Sequence, residues 1–286
     1  MTTDSSHRDQ KSIPLSLSYY TAPELSFEEL VEVAAEIGCT HVGLRLLDGA
    51  PTEPGTKLMQ NPDFRRNALT HMGALGISAL DASAARIRAE TRASDFAALL
   101  DVSAEMGARC VMCSIDDAEA ERSFNNLAEL CDMAKPLGLK IGIEFVPWMS
   151  IGSLSDAARA VAHLQRANLG IVIDALHFDR SQGDVSELAA LPPDSIAIFQ
   201  ICDAPRCTDF SLESQLHVAT KERLLPGDGD IDLLEMCRAL PTDTPVAMEI
   251  PMTKLSQTMP AIERARRAAE ATRQTLRRAQ AAATGS

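Results

Sequence analysis

Four polar side chains stand where four apolar runs give out. Glu144 ends "KIGIE", Asp174 ends "LGIVID", Gln200 follows "IAIF" and Glu249 follows "PVAM". Each comes after at least three apolar or small residues, so each run reads as a buried strand carrying one polar group near its end. An ionised carboxylate in such surroundings is costly unless it is paired or bound to a cation. No Lys or Arg interrupts the apolar part of these four runs, so a metal ion is the expected partner. Three carboxylate oxygens and one amide oxygen are hard donors, suited to Mn2+ or Mg2+ and workable for Co2+ or Zn2+. The competing reading is four structural polar groups at strand ends. Asp174 adds His177 three residues on, in "DALHF", a spacing that also fits a simple helix cap or turn.

Bringing those ends together requires parallel strands, and the chain has the pattern for them. Short apolar runs at 13–20, 41–48, 77–83, 109–115, 140–148, 169–178, 195–203 and 245–252 are expected as strands. They alternate with amphipathic segments at 26–38, 64–76, 93–107, near 118–136, 153–167, near 184–190, 230–240 and near 258–283, expected as helices. Ser26 with Glu29 predicts a capping box, and Gly76 a helix stop. The Pro/Gly stretch before 64 and the stretch after 203 read as loops. Eight strand–helix units predict an α/β fold, a single (β/α)8 TIM barrel over 13–280, with flexible tails at 1–12 and 281–286. An open doubly wound sheet is the runner-up, but no strand is followed by a glycine-rich nucleotide fingerprint. In a barrel, chemistry belongs at the C-terminal ends of the strands, where the four polar groups fall.

The composition narrows the partners. With 286 residues, 45% of them hydrophobic, the chain can build a large core. A net charge of -13 disfavours nucleic acid and anionic membranes as partners. No apolar run approaches the roughly 18–20 residues that span a bilayer. The polar opening "MTTDSSHRDQKSIP" lacks a secretory signal core. The seven cysteines are scattered; Cys110 and Cys113 form a C-x-x-C on an expected strand, with side chains on opposite faces and no second pair to complete a zinc site. Reduced thiols in a cytoplasmic protein are the expectation.

The ordered set Glu144, Asp174 with His177, Gln200 and Glu249 resembles the xylose isomerase-like TIM-barrel superfamily. That group includes ketose 3-epimerases, hydroxypyruvate isomerase, inosose-processing enzymes and 3-dehydroshikimate dehydratases. The D-x-x-H of "DALH" and the segment "RLLPGDGDID" at 223–232 carry the likeness, which covers nearly the whole chain. The resemblance implies that Glu144, Asp174, Gln200 and Glu249 hold one divalent metal ion, with His177 projecting from the adjoining loop and Arg223 beside it as substrate contacts. His177 as a hydrogen-bond partner behind the ligands, and Arg223 as a surface residue, stay open.

The chemistry implied is proton abstraction next to a carbonyl, through a metal-stabilised enolate or enediolate, with Glu144 and Glu249 as proton-transfer groups. Returning the proton to another carbon isomerises, and returning it to the other face epimerises. Loss of a β-hydroxyl dehydrates. The expected partner is a small polyhydroxylated keto compound. Gln200 stands where ketose 3-epimerases typically have His and resembles the hydroxypyruvate isomerase and dehydratase branches. Trp148, four residues after Glu144, resembles the E-x-x-x-W of some 3-dehydroshikimate dehydratases; it either walls the substrate ring or packs in the core. Arg45, inside "VGLRLLD", grips a substrate carboxylate, neutralises a ligand, or pairs outward. Asp81, Tyr19, Tyr20 and Cys113 are further candidates for the mouth. No Gly-rich phosphate cradle with a basic residue is visible. An apurinic-site endonuclease shares the barrel but needs more His ligands and a basic face, whereas this chain has six His and its acidic excess. A non-catalytic sugar-binding barrel is the remaining class, and a homo-oligomer is left open.

Overall fold

The computed structural model describes residues 13–47 and 54–284. Eight parallel strands close into a barrel in chain order: β1 (Leu15–Leu17), β2 (His41–Arg45), β3 (Ser78–Arg88), β4 (Cys110–Asp116), β5 (Lys140–Glu144), β6 (Leu169–Asp174), β7 (Ile196–Ile201) and β8 (Val246–Met248). The helices around it are α1 (Phe27–Glu36), α2 (Pro54–Gln60), α3 (Pro62–Leu75), α4 (Ala97–Glu105), α5 (Ala120–Ala134) and α6 (Leu154–Leu164). They continue as α7 (Ala175–Arg180), α8 (Val185–Ala189), α9 (Leu212–Lys221), α10 (Leu233–Ala239), α11 (Thr253–Ser256) and α12 (Ala261–Thr284). The fold is a single (β/α)8 barrel, as the alternation predicts.

Local chemistry sets the helix ends. Ser26 and Glu29 form the reciprocal capping box of α1. Asn61 caps α3, and Gly76 closes it at φ 68°, a left-handed conformation that glycine adopts without steric cost. Two segments read as loops are helical. In α2, Pro54 stands at the first position, where its missing N–H costs nothing. In α9, Leu212 and Leu216 are exposed and only Ala219 is buried, so the apolar stripe that marks a helix in sequence is weak. The strand expected to run to 178 stops at Asp174, where α7 begins. α12 continues to Thr284, past the boundary expected at 280; residues 1–12, Asp48 and 285–286 lie outside the described residues.

Two apolar layers result. The larger packs the outward faces of the strands against the helices. The smaller is built from strand residues alone, including Leu80, Cys110, Met112, Val172, Ile198 and Ala247, and fills the barrel. At Gly142 a Cβ would sit 2.7 Å from Val172 Cγ2 and 2.8 Å from Cys110 Sγ, so only glycine fits there. Cys110 belongs to the inner layer and Cys113 to the outer, on opposite faces as expected; Cys113 therefore lies away from the mouth, because strand alternation turns it toward the helices. All seven cysteines are free thiols. No helix among the described residues is long and apolar enough to cross a membrane.

Candidate active site

Strand register brings the four polar strand ends close to one level. Asp174 pairs with Gln200, Gln200 with Ala247 two residues before Glu249, and Glu144 with Val172 two residues before Asp174. Asp174 is fully buried and Gln200 nearly so.

Asp174 does two jobs. Its Oδ1 accepts the His177 backbone N–H at 3.0 Å as the N-cap of α7. Its Oδ2 accepts from Arg223 Nη1 at 2.6 Å. The three-residue spacing to His177 is thus a helix cap, and His177 stands on the first turn of α7 rather than on a loop.

Arg223 overturns the expectation that these carboxylates lack a cation. It is 4% exposed and also reaches Glu249 Oε1 at 3.3 Å, the Glu249 carbonyl at 3.2 Å and the Ala219 carbonyl at 3.0 Å. The partner was invisible to strand patterning because it arrives from a loop 49 residues after Asp174. That loop is anchored by Asp203, just beyond β7. Asp203 Oδ1 accepts from the backbone N–H groups of Ala204 and Ile231, and its Oδ2 from Gly227. Its backbone pairs with Leu224 through two hydrogen bonds, which sets the residue next to Arg223. Within "PGDG", a Cβ at Gly229 would fall 2.3 Å from Asp203 Oδ1 and 2.4 Å from the Ala204 carbonyl. Asp203 was missed in the sequence; its only signal is its place directly after a strand end.

Gln200 donates through Nε2 to Glu249 Oε2 at 2.5 Å, and Ser18 Oγ donates to the same oxygen at 3.3 Å. Gln200 Oε1 and His177 Nδ1 are buried without a hydrogen-bond partner among the described residues. Glu144, Asp174 and His177 each present a donor atom, and these atoms lie within 4.8 Å of one another. His177, expected to touch substrate, is therefore part of the closest cluster, while Glu249 is held by Arg223 and Gln200.

Arg223 is shared by Asp174 and Glu249, and burial is the largest influence on the proton affinities of the site. Burial, then repulsion from Glu249 and Asp174, pushes the Glu144 carboxyl well above the usual carboxylate range. Burial raises Glu249 to about 7 despite Arg223. Burial also acts upward on Asp174, but Arg223 and His177 together outweigh it and hold that carboxyl below its ordinary value. Burial pushes His177 down to about 4, so its ring is neutral near neutral pH.

A cavity of about 560 Å³ opens above these groups, lined by Glu144, Glu249, His177, Arg223, Trp148 and Arg45, with Tyr19, Tyr20, Arg86 and Arg88 also on its walls. Trp148 meets His177 edge-on, with ring centroids 5.4 Å apart. Arg45 lies over the Tyr19 ring at 5.1 Å. Asp81, expected at the mouth, is instead buried against Gly43 and is not among the residues that line the cavity. Arg86 and Arg88 escaped the sequence reading because they fall in a stretch taken to lie beyond the end of strand three.

The family model described as xylose isomerase-like TIM barrel matches residues 31–278. The chain belongs to that family. Among its relatives are an inosose isomerase of Bacillus subtilis, 33% identical over 113 residues, 39% of this chain and 38% of the relative. A 3-dehydroshikimate dehydratase of Pseudomonas aeruginosa is 32% identical over 139 residues, 46% of this chain and 21% of the relative. The matched stretches thus span less than two fifths of either relative. Of solved structures, the IolI protein with a bound zinc atom superposes with a TM-score of 0.78 at 21% identity, covering 92% of this chain and 98% of the other. A D-psicose 3-epimerase with D-fructose reaches 0.71 at 13% identity, covering 92% and 99%. At such identities the structures establish a shared fold.

Proposed function

We propose that the protein is a divalent-metal-dependent isomerase or epimerase of a keto sugar or related polyhydroxylated carbonyl compound. The observation that carries this reading is the convergence of donor atoms from Glu144, Asp174 and His177 within 4.8 Å at the base of the mouth cavity. Two features of the donor set fit a cation. The buried Gln200 Oε1 has no partner among the described residues, and the carboxylates outnumber the one guanidinium they share. Glu144, Asp174, Gln200 and Glu249 are the proposed ligands, with the neutral His177 imidazole able to join them. A bound divalent ion supplies Lewis acidity for a substrate carbonyl, whichever of Mn2+, Mg2+, Co2+ or Zn2+ it is.

The chain's own groups supply the proton chemistry. The Glu144 side chain is 15% exposed and lines the cavity, so it reaches substrate. Its raised proton affinity suits it to take a proton from the carbon next to a carbonyl. Glu249, which follows β8 and also lines the cavity, is the proposed group that returns it. Arg223 bridges Asp174 and Glu249 while lining the cavity, and Trp148 with His177 forms one wall against a ring or chain of hydroxylated carbons. The named relatives, an inosose isomerase and a dehydratase, act in this chemical neighbourhood.

Dehydration is the second reading, favoured by Trp148 at the cavity wall and by the 139-residue match to a 3-dehydroshikimate dehydratase. Both readings begin with the same proton abstraction. The test is incubation of Mn2+-supplied protein in D2O with keto sugars, inososes and 3-dehydroshikimate. Deuterium entering carbon next to the carbonyl is expected, with the rate falling about 10²–10⁴-fold in Glu144→Gln. Turnover of any of these compounds without deuterium entering carbon would contradict proton abstraction and point to hydride transfer, and neither turnover nor exchange with any of them by a metal-loaded protein would contradict the proposed activity.

A further inference from the structure

Between β7 and β8 the chain makes an excursion that leaves and returns at one point. The Asp203 backbone N–H donates to the Leu224 carbonyl at 3.0 Å, and the Leu224 N–H donates back to the Asp203 carbonyl at 2.7 Å. α9 stands on that excursion. Arg223 Nε donates to the Ala219 carbonyl at 3.0 Å and so ties the last turn of the helix to the barrel. The helix is held firmly at its base, yet it buries only Ala219 of its ten residues.

Two rows at four-residue spacing, Leu212 with Leu216 and Thr220, and Glu213 with His217 and Lys221, form one exposed face. Leu212 is 53% and Leu216 39% exposed, and Phe210, just ahead of the helix, is 55% exposed. These are three of the six exposed large apolar side chains among the described residues, gathered within 210–216. Single surface leucines are ordinary, whereas a cluster of this kind marks an interaction face. A short helix is marginal in water by itself and draws most of its stability from packing an apolar face. α9 turns that face outward.

Charge selects the occupant. The chain carries a net charge of -13, which opposes the meeting of two copies through most of their surface. The outward face of α9 balances one carboxylate, Glu213, against one ammonium, Lys221, and escapes that repulsion. The two stand at equal distance on either side of His217. Two antiparallel α9 helices related by a two-fold axis at His217 therefore set each Glu213 opposite the partner's Lys221, with the Leu216 side chains of both copies adjacent. Such self-complementarity is what an isologous interface requires. A strongly acidic or strongly basic partner would satisfy one of these charges and oppose the other.

We propose that a second copy of this chain docks on α9, giving a two-fold dimer in which the two helices pack antiparallel. Leu216, Ala219 and Thr220 also line the mouth cavity, so each copy stands at the rim of the other's site.

Sedimentation velocity of the full chain across micromolar concentrations tests this. Wild type should sediment as a dimer. Leu212→Arg should raise the dimer dissociation constant at least about 30-fold, the effect of losing one interface hot spot, with far-ultraviolet circular dichroism unchanged because the side chain is exposed in the single chain. Glu213→Lys and Lys221→Glu should each weaken the dimer roughly 3–30-fold, as two exposed ion pairs become repulsive. The double variant carrying both changes should recover wild-type affinity. A monomeric wild type throughout this range would overturn the proposal, and so would a dimer indifferent to Leu212→Arg. Single charge variants without effect, or weakened dimers with no recovery in the double variant, would overturn the antiparallel pairing. None of these readings requires bound metal or turnover, so they stand or fall apart from the proposed activity.

Discussion

Arg223→Met removes the one guanidinium that both Asp174 and Glu249 contact, at 2.6 Å and 3.3 Å, while keeping an apolar stem of similar length. The Arg223 side chain is 2% exposed and that of Asp174 0%, so the carboxylates left behind are buried and uncompensated. Removing one partner of a buried ion pair costs about 3–5 kcal/mol. For a domain of this size each kcal/mol lowers the melting temperature by about 2–4 °C, so the metal-free variant should melt about 6–20 °C below wild type. If these carboxylates form a cation site, a divalent ion restores the missing positive charge. Mn2+ should then raise the melting temperature of the variant more than that of wild type. Thermal melting followed by circular dichroism, in EDTA and in saturating Mn2+, measures all four values. An equal Mn2+ shift in the two proteins would refute the cation-site reasoning, and equal stability in EDTA would refute the buried-pair reasoning.

Asp81 is buried, and burial followed by repulsion from Glu249 raises its carboxyl from 3.8 to about 7. Below pH 3.8 the folded and unfolded states both hold the proton and folding carries no penalty. The penalty grows as pH rises through this window and is complete above about 7. Asp81→Asn should therefore stabilise the metal-free protein at pH 8 by up to about 4 kcal/mol and much less at pH 5, read by urea unfolding; a gain independent of pH would contradict this. Gly229→Ala places a Cβ 2.4 Å from the backbone oxygen of Ala204, so the loop ahead of α10 must shift. A loss of about 1–3 kcal/mol in urea unfolding is expected, the range for overpacking. Gln200→Glu replaces the hydrogen bond to Glu249 with a second carboxylate. Calorimetry should show tighter Mn2+ binding, and melting in EDTA a less stable metal-free protein.

Continuous apolar runs made the barrel legible, because a strand buried on both faces has to be apolar almost throughout. The polar exceptions Glu144, Asp174, Gln200 and Glu249 stood out against that background for the same reason. Residues that act across the barrel from loops carried no such contrast. Arg223 sits in a turn-rich stretch where any charge looks solvated, and only the folded loop turns it onto Asp174. Asp203 resembles any acidic residue after a strand, and its three backbone contacts are made with residues up to Ile231. Arg86 and Arg88 alternate with Ala85 and Ile87 as on a half-exposed strand. They line the cavity that holds Glu144, and a linear pattern does not encode which cavity a side chain faces. The helices α2 and α9 were hidden because one begins at a proline and the other buries almost nothing.

The central claim is that Glu144, Asp174 and their neighbours hold a divalent cation. Titration of Mn2+ into EDTA-stripped wild-type protein and into Asp174→Asn tests it most directly. Asn caps a helix about as well as Asp, so α7 is retained while the charge is lost. The account predicts one ion per chain at micromolar affinity or better in wild type, and a loss of at least roughly tenfold in the variant, as for one charged ligand contact. Absence of micromolar binding of Mn2+, Mg2+, Co2+ and Zn2+ by wild type, or equal affinity in the two proteins, would contradict it.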